Sequence, residues 1–327
     1  MNERRLDPRT NEWTTFATAR QDRTFLPSEA ACPLCPTSDP QQPTEIPRAG
    51  YQIAVFDNRF PSMMPSPPQP STPHDDQFAV APASGAAEVI VYSPEHTRPL
   101  ADMSVDRVGR LVDVWSDRYA ILGERDDVRY VLIFENRGIE MGVTLHHPHG
   151  QIYGFTDVPP RALAELRTAR AHFERTERCV HCDVVGFERG EGVRVVADNP
   201  SFFAFVPFAA RFPYEVHISA RRHATSLLDL TDPERRALAE VLRSVLRGYD
   251  RLFGFPMPYV MVMHQSPTDD GRSLSFSHLH IELMPPYRTA EKLKYIAGSE
   301  LGAGAFMNDT APEETAAQLR AAVASAG

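Results

Sequence analysis

Cysteine is scarce in this chain, four residues in 327, and the four fall as two pairs of identical spacing, Cys32/Cys35 and Cys179/Cys182. That is too few for a disulfide framework, and the pairing points to metal instead. No run approaches the ~20 consecutive apolar residues of a membrane span, and the N-terminus MNERRLDPRT lacks the apolar stretch of a secretory signal. Positive charge is short as well: 34 Lys and Arg stand against 43 Asp and Glu, giving a net charge of −9. Such a balance excludes non-specific binding to nucleic acid or anionic membrane, so any anionic ligand must be met by a local cluster. These absences predict a cytoplasmic, enzyme-sized globular protein of one large or two modest domains.

What is present is patterned. The stretch 61–76 (PSMMPSPPQPSTPHDD) is crowded with Pro and Ser and predicts an extended loop, a candidate lid or dimer arm. Helices are predicted over 105–122, capped by Ser104, over 161–177, and over 233–253, where Thr231 and Glu234 form a capping box. Strands are predicted over 88–92, 129–135, 150–155, 193–197, 202–206, 214–219, 259–264 and 278–284. Strands clustered on either side of long helices suggest α+β architecture with a largely antiparallel sheet.

The chain also repeats itself. CPLC (32–35), a run ending at His96, a helix, a strand and HPH (147–149) are followed by CVHC (179–182), a run ending at His223, a helix, a strand and HLH (278–280). Duplication explains this order, with halves at 1–160 and 161–327. Each Cys-x-x-Cys with two distant histidines makes a tetrahedral set suited to Zn²⁺: Cys32, Cys35, His96 and His147, then Cys179, Cys182, His223 and His278. Two zinc ions per chain, structural in role, are therefore expected. A competing set, Glu165, His264, His278 and His280, claims the same His278, which cannot serve both. His146, His172, His181 and His217 read as ordinary residues.

The string His146-His147-Pro148-His149-Gly150-Gln151 carries the chemistry. On a strand, His147, His149 and Gln151 would share one face. One imidazole could then bind metal while its neighbour stays free as a nucleophile, with Gln151 offering a neutral amide to an anion. HPHGQ, preceded by FENRG (134–138) and accompanied by CPLC and SPEH, resembles the galactose-1-phosphate uridylyltransferases of the histidine-triad superfamily, a similarity running along nearly the whole chain. The resemblance implies a duplicated histidine-triad-like fold, a half-barrel sheet with helices outside. It also implies a ping-pong exchange of UMP between UDP-glucose and galactose 1-phosphate, through a covalent uridylyl group on His149. An ADP-glucose phosphorylase using the same intermediate is the alternative, and a zinc-stapled nucleotide-binding protein without turnover a third reading.

Other positions carry over from that resemblance one at a time. Arg20 and Arg23 match a basic pair near the nucleotide phosphates; Asn58 and Asn136 match base, ribose or phosphate contacts; Gly142 and Thr144 match the loop approaching the phosphates. Lys294 matches a lysine that meets the sugar phosphate. Arg59, Ser299 and Phe306 depart from the family pattern, and Asn308 and Asp309 stand as substitute sugar contacts. Family members resemble homodimers whose hexose site the partner chain completes. Glu282 stands where the first half has Gln151, and a carboxylate would repel phosphate, so the second half reads as scaffold.

Overall fold

The computed structural model describes residues 1–48, 50–269 and 271–326. Strand β1 (Asn2–Asp7) pairs with β2 (Glu12–Ala17) in a hairpin at the start of the chain. Then follow β3 (Ala54–Asp57), β4 (Val80–Pro82), β5 (Gly85–Val91), helix α1 (Val105–Gly123), β6 (Tyr130–Arg137) and β7 (His149–Phe155). Helices α2 (Pro160–Thr176) and α3 (Val180–Glu191) lead into β8 (Val195–Asp198), β9 (Phe202–Phe205) and β10 (Val216–Ala220). Helix α4 (Asp232–Leu252), β11 (Tyr259–His264) and β12 (His280–Met284) complete the second half. The chain closes with β13 (Tyr287–Thr289), β14 (Lys292–Leu293), α5 (Gly298–Ala303) and α6 (Pro312–Ser325).

Nine strands form one open antiparallel sheet in the order β3-β5-β7-β6-β11-β12-β10-β9-β8. The sequence repeat is visible in that order: β3-β5-β7-β6 from the first half meets its reverse, β11-β12-β10-β9, across the β6/β11 pair. α1 and α4 hold equivalent places and pack together over one sheet face. α1 does so because Val108, Leu111, Val112, Trp115, Tyr119 and Leu122 recur at three- and four-residue spacing and are buried, joining Ile90, Ile133 and Ile152 of the sheet. Burying each such side chain is worth about 1.5–3 kcal/mol.

Both predicted caps form: the Ser104 hydroxyl accepts from the Arg107 N–H, and Glu234 accepts from the Thr231 N–H at 2.9 Å. Helix α3, running through the CVHC motif, is an element that periodicity did not predict. No helix among the described residues is long and apolar enough to cross a membrane.

Two strand starts differ from expectation and bear on the site. The strand carrying HPHGQ begins at His149, one residue before the predicted start at 150, and the one carrying HLH begins at His280, two residues after the predicted start at 278, so His147 and His278 both lie just before their strands. Along β7 the parity is strict: Gly150, Ile152 and Gly154 are buried against the helices, while His149, Gln151 and Tyr153 face the opposite, accessible side.

Candidate active site

On that accessible face lies a cavity of about 340 Å³. Arg20, Arg23, Asn58, Asn136, Gly142, Thr144, His149 and Gln151, which come from five separate stretches of the chain, all line it. His149 is oriented by its own backbone: Nδ1 lies 2.7 Å from the His147 carbonyl oxygen. A carbonyl only accepts, so Nδ1 carries the proton and Nε2 keeps its lone pair. Burial lowers the His149 pKa below its ordinary value, aided by the charges of His147 and Arg23, which keeps the ring neutral.

Gln151 is oriented by its neighbours. Its Oε1 accepts from the Tyr153 hydroxyl at 3.1 Å and the Asn58 amide at 3.5 Å, which turns its NH₂ group away from them as a donor. Asn58 is set by an Asx turn, its Oδ1 accepting from the Phe60 N–H at 2.9 Å. Arg20 reaches the Tyr153 hydroxyl at 3.4 Å, and burial together with Arg20's charge lowers the pKa of Arg23. Two guanidinium groups that crowd each other in an acidic protein form a local anion trap. Gly142 closes a turn at φ +77°, a conformation that a side chain would strain, although space around it is open.

The cavity walls include residues to which the sequence assigned no role: Leu34, Phe56, Val89, Phe134 and Tyr153. Tyr153 was legible in principle, since it continues the alternate-residue pattern of His149 and Gln151. Leu34 stands between the two cysteines of the first pair, and it packs with Val89, Val91 and Phe56.

The first cysteine pair and its histidines converge, with Cys35 Sγ 3.3 Å from His96 Nδ1 and 3.5 Å from His147 Nδ1. A tetrahedral zinc with Zn–S of about 2.3 Å and Zn–N of about 2.0 Å needs S···N separations of about 3.5 Å. His147 points its other nitrogen, Nε2, at the Ser93 carbonyl oxygen 2.8 Å away, fixing the tautomer that leaves Nδ1 for a metal. Burial and the adjacent Cys32 push the Cys35 thiol up to about 12. Thiolates here therefore require a cation, and the donor set fits zinc. The second set repeats the geometry, Cys182 Sγ lying 3.4 Å from both His223 Nδ1 and His278 Nδ1.

His278 thus belongs with the cysteines, which corrects the competing four-residue set. Glu165, His264 and His280 still gather without it, His264 Nδ1 being 3.0 Å from the Glu165 carboxylate. They line a second cavity with His181, His217, Glu215 and Glu282. His280 copies His149, its Nδ1 lying 2.9 Å from the His278 carbonyl. Its surroundings are opposite in sign. Burial would raise the Glu282 pKa, but His217, His264, His280 and Arg211 outweigh it and hold the carboxyl well below the usual range. An ionised carboxylate occupies the place of the Gln151 amide.

The hexose-end residues lie elsewhere. Lys294 is absent from the described lining of the first cavity; it is buried, with Nζ 2.9 Å from Glu300 and a further bond to the Met307 carbonyl. Ser299 donates to Glu300, and Phe306 packs on Phe212. Asn308 donates to the Ala210 and Phe212 carbonyls and Asp309 pairs with Arg288, so neither stands free for a sugar within this chain.

The family model for the N-terminal domain of galactose-1-phosphate uridyl transferase matches residues 1–159, and that for its C-terminal domain matches residues 165–326. The chain belongs to this family. Among its relatives, the galactose-1-phosphate uridylyltransferase of Thermotoga maritima is 39% identical over 98% of both chains. A solved uridylyltransferase structure superposes with a TM-score of 0.87, at 38% identity and 99% coverage of each chain. An ADP-glucose phosphorylase of Arabidopsis thaliana is 26% identical over 97% of this chain and 92% of its own. For a uridylyltransferase-family enzyme the arrangement is coherent: one metal-ready cage holds His147 next to His149 and, through Leu34, forms one wall of the cavity.

Proposed function

We propose that this enzyme exchanges UMP between UDP-glucose and galactose 1-phosphate in two steps through His149. The carrying observation is the His149 ring, with Nδ1 committed to the His147 carbonyl and Nε2 open beside Arg23 and Gln151. The Nε2 lone pair attacks the α-phosphorus of UDP-glucose. The bond from that phosphorus to the bridging oxygen breaks, and glucose 1-phosphate leaves with the electron pair as a stable anion, so no acid is required. A phosphate oxygen of galactose 1-phosphate then attacks the same phosphorus and His149 leaves. Arg20, Arg23 and the Gln151 amide bind the phosphoryl oxygens, whose charge Gln151 can stabilise without taking or giving a proton.

Zinc at Cys32, Cys35, His96 and His147 and at Cys179, Cys182, His223 and His278 is part of the proposal. Bound there, it supplies folding free energy and a fixed His147. The halves are taken as 1–160, carrying the transfer chemistry, and 161–327, a scaffold around the acidic Glu282. The enzyme is proposed to act in the cytoplasm.

The test is mass spectrometry. Incubated with UDP-glucose and no acceptor, the metal-loaded protein should gain one uridylyl group on the peptide containing His149, and His149→Gly should lose transfer while keeping its metal and fold. Undiminished turnover in that variant refutes the covalent scheme. An adenylyl group acquired from ADP-glucose and discharged by inorganic phosphate would instead identify a phosphorylase.

We further propose a homodimer in which Lys294 and its segment complete the partner's hexose site. Tyr295, Leu301 and Met307 are 73%, 77% and 60% exposed around an otherwise buried lysine, a grouping suited to burial against a second copy. Mixed dimers of His149→Gly and Lys294→Ala chains should regain activity that neither variant has alone. No recovery on subunit exchange removes the shared-site reading.

A further inference from the structure

Five hydrogen bonds close into a ring on one wall of the transfer cavity. Arg20 Nη1 donates to the Phe60 carbonyl oxygen at 3.5 Å, the Phe60 N–H donates to Asn58 Oδ1 at 2.9 Å, and Asn58 Nδ2 donates to Gln151 Oε1 at 3.5 Å. The circuit returns through the Tyr153 hydroxyl, which donates to the same Gln151 oxygen at 3.1 Å and accepts from Arg20 Nη1 at 3.4 Å. Most of these bonds are long and individually weak. Their value lies in the direction they impose.

That direction is fixed at two points. A guanidinium only donates and a backbone N–H only donates, so Arg20 and Phe60 each admit one polarity. At Phe60, the Asn58 oxygen must face the backbone, which leaves its NH₂ group for Gln151. At Arg20, the Tyr153 oxygen must accept, and Arg23 lies against the same hydroxyl. The phenolic proton therefore goes to Gln151 Oε1. Two donors converge on one amide oxygen, and the flipped amide, with its NH₂ facing that of Asn58, is disfavoured. The Tyr153 ring is itself held, meeting Phe134 edge-on at 5.0 Å between centroids and Phe155 at 6.0 Å. The second half offers a contrast. Counted from His280, the matching positions are Glu282 and Met284, a carboxylate that has no wrong way round and a side chain that cannot donate.

We propose that Tyr153 is a positioning residue for nucleotidyl transfer: held by Arg20, its hydroxyl keeps the Gln151 NH₂ group turned toward the phosphoryl oxygens. This rests on the nucleotidyl-transfer reading above. No proton passes through Tyr153, and the bonds made and broken at phosphorus are those already described. Its part is to keep a donor aimed where negative charge grows on the phosphoryl oxygens. Without the hydroxyl, Asn58 alone holds Gln151 Oε1, and the arginine pair draws that oxygen toward the phosphate site.

Single-turnover uridylylation of His149 in the metal-loaded protein tests this with Tyr153→Phe, Gln151→Ala and the double variant. Tyr153→Phe should lower the maximal rate about 3- to 10-fold, as expected for one hydrogen bond between neutral groups, with the half-saturating UDP-glucose concentration little changed. In the Gln151→Ala background the same substitution should cost nothing further, because its effect passes through the amide. A second readout uses UDP-glucose carrying sulfur at one or the other non-bridging α-oxygen. Sulfur accepts a hydrogen bond poorly, so an amide aimed at one oxygen discriminates between the two epimers. Tyr153→Phe should move the epimer preference toward that of Gln151→Ala, which a mere loss of packing would not do. An undiminished rate in Tyr153→Phe, a fully additive loss in the double variant, or an epimer preference equal to that of the wild type overturns the proposal. If UDP-glucose leaves wild-type His149 unlabelled, the nucleotidyl-transfer reading itself fails; labelling that is indifferent to Tyr153→Phe removes only the positioning role.

Discussion

Gly150→Ala tests how tightly the strand carrying His149 is seated. A methyl group at Gly150 would stand 2.4 Å from the Tyr92 hydroxyl oxygen, 3.0 Å from the Phe134 carbonyl oxygen and 3.3 Å from Ile90 Cγ2. Comfortable non-bonded separations are near 3.5 Å, so roughly 1 Å must be recovered at the first contact. Tyr92 cannot simply yield. It is 1% exposed, and its hydroxyl donates to Glu135 at 3.2 Å, which also accepts from Tyr259 at 3.2 Å. Moving the ring away would leave a fully enclosed carboxyl short of a donor. The strand must shift instead, carrying His149 with it. Overpacking of this kind costs about 1–3 kcal/mol of stability, and misplacing a reacting group by ~1 Å can cost about 10²-fold in rate. Urea titration and single-turnover uridylylation of His149 read the two effects separately. Adding Tyr92→Phe removes the oxygen nearest the new methyl and should restore part of both, with a coupling of about 0.5–3 kcal/mol. A Gly150→Ala protein of parental rate and stability, or a double variant no better than it, refutes the seating argument.

Glu135 itself gives a pH signature. Burial, opposed by Arg137 and the two tyrosyl hydroxyls, raises its carboxyl from 4.5 to about 7. The folded state then holds this proton more tightly than the unfolded one, so its contribution is full below pH 4.5 and declines as pH rises toward 7, by at most ~3 kcal/mol. Urea midpoints of Glu135→Gln measured from pH 5 to 8 should lack that decline, and profiles parallel to wild type would contradict it. Metal removal should act on the whole molecule: stripping with a strong chelator is expected to lower the melting temperature sharply, since structural zinc contributes on the order of 10 kcal/mol in small domains. Elemental analysis should find two zinc ions per chain, and an unaltered melt after their removal would rule out a structural role.

Much of the site was legible because its residues are local in sequence or tied to a short motif. HGQIYGF announces an alternating strand by composition alone, and two cysteine pairs followed in order by histidines announce the repeat. Glu45, which also lines the cavity, was not legible: it lies in a stretch without periodicity, and its N–H bond to the Pro33 carbonyl ties it to the first cysteine loop. Helix α3 was missed for a related reason. Gly186, Gly190 and valines make its sequence a poor helix. Its form is stabilised from outside, by Cys182 beside His223 and His278 and by the buried Glu188–Arg194 pair at 2.8 Å.

The ambiguity over His278 shows where pattern reasoning stops. Were His278 and His280 both within one strand, their side chains would share a face and both would join His264. The β11/β12 pairing begins at His264↔His280 and leaves His278 outside the ladder, where its backbone is free to turn the ring toward Cys182. The first half repeats this choice at His147 and His149. A displacement of one pair in strand register would therefore exchange the histidine that faces the cysteines for the one that faces the cavity. It is this register, set by sheet contacts far along the chain, that separates the two histidines chemically.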